Sequence, residues 1–144
     1  MVAMCNHRED GDHQRLGIDR SITLENSKQI LIDEKVRSVD YGDILLEHLS
    51  DRERGVLGWV EKQLLCDFIA YAVLPSKKCY LLPVVQLQTA WDKNKLEWIH
   101  LYSNKVAKNQ TSGRCWETVS TPVPVSVVFR EIGQALRIDF DATT

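Results

Sequence analysis

Polar and apolar positions along the chain alternate in strand fashion in its first half and at helical spacing later. Residues 17–24 and 28–37 read as two strands joined by the polar, turn-prone Glu25-Asn26-Ser27. Asp40-Tyr41-Gly42-Asp43 is a turn, and Ile44–Leu49 reads as a short strand, although an apolar run of that length is also compatible with helix. The charged segment 51–58 reads as loop. Phe68–Leu74 and Cys79–Leu82 flank the turn Pro75-Ser76-Lys77-Lys78 and predict a central hairpin. From Pro83 the spacing becomes helical through Trp91, with proline at the tolerated first position. A second helix is expected over 93–103, irregular chain over 104–121, and a last helix from Pro124 with Val125, Val128, Phe129, Ile132 and Leu136 on one side. This order predicts an α/β (α+β) domain, a mixed central β-sheet flanked by helices. At 144 residues a single domain spanning 1–144 is expected, with 1–15 a flexible end or a short helix.

Composition narrows the function classes. The apolar fraction, 44%, suffices for a core. No apolar run approaches the ~20 residues of a membrane span, and the first residues lack the basic-then-apolar order of a signal peptide, so a cytoplasmic protein without membrane contact is expected. Cys5, Cys66, Cys79 and Cys115 have no CxxC spacing and read as reduced thiols; together with His7, His13, His48 and His100 they offer no zinc pattern. The net charge of −2 does not point to nucleic acid, but the charge is unevenly spread. Residues 1–60 hold 8 Lys/Arg against 12 Asp/Glu, whereas 77–114 hold 7 against 2. A basic half beside an acidic half suits a protein that holds phosphates with one and a cation with the other, and it equally suits a solvated surface.

The acidic half carries the most specific chemistry. Side chains alternate across a strand, so Asp33 and Lys35 share one face and Glu34 takes the other. If 17–24 and 28–37 pair as a hairpin, Asp19 comes alongside Asp33. Two neighbouring carboxylates repel unless a cation sits between them, and Mg²⁺ (or Mn²⁺) is the natural occupant of such an oxygen site. An adjacent lysine can orient water or stabilise charge on a phosphate. The competing reading is an Asp33 salt bridge to Lys35 or Arg37.

Asp19 followed by Asp33-Glu34-Lys35 resembles the signature of the PD-(D/E)xK nuclease superfamily. The strings Gly-Ile-Asp-Arg at 17–20, Ile-Asp-Glu-Lys-Val-Arg at 32–37 and Asp-Tyr-Gly-Asp-Ile-Leu-Leu-Glu at 40–47 resemble small, largely uncharacterised bacterial and phage members. The likeness continues through Gly58-Trp59, Cys66–Tyr71 and Cys79–Pro83, over roughly residues 12–135. It implies a restriction-endonuclease-like fold and metal-dependent cleavage of DNA (RNA being possible) to a 5′-phosphate end. Asp19 and Asp33 would hold the metal with the Glu34 carbonyl as a further ligand, and Lys35 would act on the water. Many members complete the metal site with an acid on an N-terminal helix. Glu9, Asp10 and Asp12 are candidates here, and Gln14 lies close by in sequence. A chain this short has little room for sequence readout, so structure-selective or weakly specific cleavage is expected. Cutting both strands would call for a homodimer. A catalytically inactive nucleic-acid-binding module, or a phage or host regulatory protein on the same fold, is the alternative.

Other residues take secondary roles. Arg37, on the face of Asp33 and Lys35, could clamp a phosphate or tether an acid. Lys77 and Lys78 are further candidates for nucleic-acid contact, and Trp59, following Gly58 in a loop, is the candidate for base stacking. Trp91, Trp98 and Trp116 could stack on bases too, but core packing is the expected role, Trp91 and Trp98 sharing a helix face. Glu47 and Asp67 begin or sit in apolar runs and read as supporting carboxylates, Asp67 as one half of a structural ion pair.

Overall fold

A computed structural model describes residues 3–7, 18–133 and 136–140, with 136–139 known by their backbone. Gln14, Glu9, Asp10, Asp12 and His13 lie outside the described residues. The architecture is mixed α+β. Among the described residues there are ten strands, β1 (Ala3–Asn6), β2 (Arg20–Thr23), β3 (Gln29–Arg37), β4 (Asp43–Asp51), β5 (Val56–Leu57), β6 (Phe68–Val73), β7 (Lys78–Pro83), β8 (Lys105–Thr111), β9 (Arg114–Pro124) and β10 (Leu136–Asp139). Two helices accompany them, α1 (Val84–Tyr102) and α2 (Val125–Ile132). The chain divides into two compact units. One comprises Met1–Tyr41, Leu64–Val85 and Gly133–Thr144, the other Gly42–Gln63 and Gln86–Ile132.

The first unit is built on a six-stranded sheet in the order β1-β2-β3-β6-β7-β10. The expected hairpins are its centre. β2 pairs antiparallel with β3, β6 antiparallel with β7, and the two hairpins join through a parallel β3–β6 pair. A parallel join needs a long crossover between its strands, and residues 38–67 supply it. Ile69, Tyr71, Val73, Tyr80 and Leu82, on one face of the β6–β7 hairpin, are buried. Ala3–Asn6 form an edge strand on β2, so this part of the amino-terminal segment is neither helix nor frayed end.

The second unit carries an antiparallel sheet, β5-β4-β9-β8, with its core formed by Ile44, Leu46, Leu87, Trp91, Trp98, Val123 and Val128. Three expectations are corrected here. First, residues 84–102 form one helix rather than two. No Gly or Pro interrupts the segment at Asp92-Lys93-Asn94, and α1 runs on until Ser103 adopts a left-handed φ of 52°. Second, 104–121 is not irregular, because β8 and β9 form a hairpin turning at Ser112-Gly113, where Gly113 has φ 77°. Most of β8 is exposed, so its polar residues lack the apolar alternation that marks a half-buried strand. Third, Leu136 does not continue α2. Gly133, at φ 76°, ends the helix and Leu136 opens β10. Trp91 is fully buried, stacked on His48 at 5.3 Å and donating from Nε1 to Glu61 Oε1 at 2.9 Å.

Gly58 brings its backbone so close to β4 that a Cβ would stand 2.3 Å from the Glu47 carbonyl oxygen. Gly42, by contrast, has open space but a φ of 70°. Gly58→Ala is therefore expected to destabilise the second unit through overpacking by about 3 kcal/mol, and Gly42→Ala through backbone strain by only about 1 kcal/mol. Urea-denaturation midpoints of the two variants beside wild type check the order.

Candidate functional site

Asp19 stands immediately before β2, behind the buried Ile18, and its amide donates to the Ile32 carbonyl at 2.8 Å. That bond extends the β2–β3 ladder by one step and sets Asp19 beside Asp33. Both aspartates are buried, at 7% and 5% exposure, in contrast to the usual solvent-facing carboxylate. Asp19 Oδ2 accepts the Glu34 amide at 2.6 Å, and the Asp19 and Asp33 carboxyls lie within hydrogen-bond reach of each other. Lys35 Nζ donates to Asp33 Oδ2 at 2.9 Å and is about one-third exposed. The sheet thus collects two desolvated carboxyls and one ammonium within a few residues of its central strand. Burial, reinforced by the Asp19 carboxyl, pushes Asp33 up to about 6 even though Lys35 pulls the other way.

Glu34 points to the opposite face and pairs with Arg20, so its side chain is not part of the cluster. Arg37 donates to the Tyr71 hydroxyl at 3.0 Å and lies 5.5 Å from the centre of the Tyr41 ring. These aromatic partners are contacts that strand parity alone did not foresee. Asp67 is exposed and forms no ion pair among the described residues, in contrast to the expectation. Its amide donates to the Leu31 carbonyl at 2.7 Å while Oδ2 accepts the Leu31 amide at 2.8 Å. This two-point clamp on β3 starts the parallel pairing one step before Ile32 meets Phe68.

Cys66, read from the sequence as a reduced thiol, is free, and the sequence did not place it at the acid site. The residue is buried, the Asp33 amide faces its sulfur, and burial together with the Asp33 charge pushes the thiol up to about 12. A thiol held neutral in this way is a weak nucleophile.

The remaining candidates lie elsewhere. Lys77 and Lys78 occupy the tip of the β6–β7 hairpin. The tip begins at Val73, four residues and roughly 13 Å along the strand from Ile69, the partner of Asp33. Glu47 belongs to the second unit, on β4 opposite Ser120. Trp59 is buried in that unit at 7% exposure, so the expected stacking loop is instead core. The close approach of Gly58 to β4 turns the indole inward.

Among the described residues no group of three or more His, Cys, Asp or Glu side chains is arranged to hold a metal. The hard oxygen donors at this point are the two aspartates, supplemented by backbone carbonyl and solvent. That set fits Mg²⁺ or Mn²⁺, which bind proteins through one or two carboxylates and keep several waters. Among the described residues no helix is long and apolar enough to cross a membrane. No family model, curated protein or solved structure matches the chain.

A carboxyl that gains a proton on folding stabilises the fold most below the unfolded-state value near 3.8, and that contribution is lost as pH rises through about 6. Asp33→Asn abolishes this titration. Relative to the variant, wild-type protein in EDTA should lose up to about 3 kcal/mol between pH 4 and pH 7. Chemical denaturation of both proteins across that range measures it, and parallel curves would show that Asp33 is not the group responsible.

Proposed function

We propose that the chain is a metal-dependent nuclease with a restriction-endonuclease-like fold, hydrolysing phosphodiester bonds of DNA with structure-selective or weakly sequence-specific choice of substrate. The observation that carries this reading is the buried Asp19–Asp33 pair with Lys35 Nζ 2.9 Å from Asp33. Unrelieved, such a pair is costly, because two carboxyls share one low-dielectric volume with a single cation. A divalent ion bound there supplies the missing positive charge and the Lewis acidity that phosphoryl chemistry requires. Asp19 and Asp33 hold it, with the Glu34 carbonyl as the third oxygen that the family resemblance implies.

The chain's own residues then have distinct tasks. The Glu34 amide fixes Asp19, and the Asp67 clamp on Leu31 fixes the strand beneath Asp33. Lys35, about one-third exposed beside Asp33, orients the attacking water and donates to the phosphate as negative charge builds on it. The water oxygen bonds to phosphorus, the P–O3′ bond breaks, and the 3′ oxygen leaves with a proton, giving 5′-phosphate and 3′-hydroxyl ends.

A second reading has its own support. Lys35 already gives Asp33 one counter-charge from the chain itself, as a binding module or regulator that had abandoned cleavage would require.

Cleavage of linear, single-stranded, flap and four-way-junction DNA and of RNA, in Mg²⁺, Mn²⁺ or EDTA, separates the two readings. Metal-dependent cutting is expected on at least one substrate, with Asp33→Ala and Lys35→Ala each at least ~100-fold slower. Mg²⁺ should also raise the melting temperature of wild type and not of Asp33→Ala. A folded protein that cuts nothing and does not respond to Mg²⁺ would favour the binding or regulatory reading.

A further inference from the structure

The second unit contains a groove of about 770 Å³, lined among others by Arg52, Glu53, Lys108, Gln110, Cys115 and Trp116. Its volume lies in the range of ligand sites, roughly 300–1,000 Å³. Trp116 is the one tryptophan of four that is not buried. Its ring is backed by the Arg114 guanidinium, 5.0 Å from the ring centre. Arg114 is itself fixed by a 2.6 Å pair with the buried Asp51. Burial opposes the Asp51 charge, but the Arg54 amide and the Arg114 guanidinium outweigh it and hold that carboxyl below its usual range. The indole is therefore a supported, partly exposed platform rather than a loose side chain. Asn109 stands directly across from Trp116 and Gln110 across from Cys115.

The groove's charges balance. Arg52 and Lys108 line it together with Glu53 and Glu117, and Arg52 is already paired with Glu117 at 3.4 Å. Lys108 has no ion pair among the described residues. A groove of this kind does not suit a polyanion lying along its length. It suits a flat, neutral, hydrogen-bonding ring with one attached anion. Aromatic faces stack on any base, amides pair with adenine edges, and carboxylates accept from exocyclic amines.

We propose that this groove holds one unpaired nucleotide of a nucleic-acid strand, its base stacked on Trp116, its edge met by the amide and carboxylate side chains, and its phosphate met by Lys108. The choice of a nucleic acid rests on the nuclease reading above; the stacking platform and the balanced lining are independent of it.

Exposed Cys115 makes the groove directly testable. The full chain is kept in EDTA with a 12-nucleotide single-stranded DNA, its duplex, or an acidic peptide of equal length. Alkylation of Cys115 is followed by mass spectrometry, with exposed Cys5 as the internal reference. The single strand should quench tryptophan emission and slow Cys115 alkylation at least ~5-fold while leaving Cys5 unchanged, and the duplex should do neither. Trp116→Ala should weaken strand binding at least ~5-fold and Trp116→Phe should largely preserve it. Log affinity should fall with log salt at a slope near −0.7, the value for a single phosphate contact. Lys108→Glu and Gln110→Ala, at exposed positions, give the same test if Trp116→Ala does not fold. Unprotected Cys115 at saturating strand, equal protection by duplex, protection by the peptide instead, or wild-type affinity in Trp116→Ala, Lys108→Glu and Gln110→Ala would overturn the proposal. Metal-dependent cleavage with Cys115 unprotected would overturn the groove and leave the acid site standing. Protection without any cleavage would do the reverse.

Discussion

Two carboxyls buried side by side must be reconciled with the low dielectric around them, and the centre of the first unit is organised by that constraint. Removing an ionised carboxylate from water costs several kcal/mol unless hydrogen bonds and opposite charge make up the difference. Asp19 receives the Glu34 amide, and Asp33 receives Lys35. The compensation is incomplete, because Asp33 is still pushed up to about 6. A protein with only a structural need at this position would be served as well by an Asn or a Ser. Two acids at partial compensation form a site that gains most from an added cation.

The geometry depends on β3 having different neighbours on its two sides. Antiparallel β2 brings Asp19 in from one edge, because the bond from the Asp19 amide to Ile32 carries the ladder past the formal end of the strand. Parallel β6 closes the other edge, and Asp67 holds both backbone groups of Leu31 where that pairing begins. A one-residue slip of β3 against either neighbour would turn Asp33 and Lys35 to the opposite face. Arg20 and Glu34 pair on that other face. The slip would exchange these two ionic systems, so each helps to exclude the alternative register.

The acid site was legible in the sequence because it rests on strand parity and one hairpin. The polar connector at 25–27 and the apolar runs on either side placed Asp19, Asp33 and Lys35 together before any tertiary information was used. What failed to show was whatever depended on burial by distant chain. Trp59 follows a glycine in an apparent loop, and nothing local reveals that Gly58 presses against the Glu47 carbonyl and sends the indole into a core. Asp67 looked like a charge entering a buried strand, whereas it is an exposed residue bonded to the backbone of another strand. The β8–β9 hairpin was missed because exposed β8 has almost no apolar face, leaving Gly113 as its main local mark.

The basic segment shows why charge counted along a sequence is a poor map of charge in space. Its seven cations between 77 and 114 suit phosphate binding and a solvated surface alike when counted along the chain. The fold distributes them over a hairpin tip in the first unit and over α1 and the β8–β9 hairpin in the second. Several are then occupied. Arg114 is spent on Asp51, and Lys95 reaches Glu61 at 3.4 Å. Charge that is paired in the free protein adds little to the attraction of a phosphate backbone, since counterion release requires the cation to be available. Any nucleic acid this protein binds must therefore be held more by stacking and by hydrogen bonds than by a continuous basic surface. That balance favours short, unpaired or distorted stretches over long regular duplex, because unstacked bases are what stacking platforms and small polar grooves can reach.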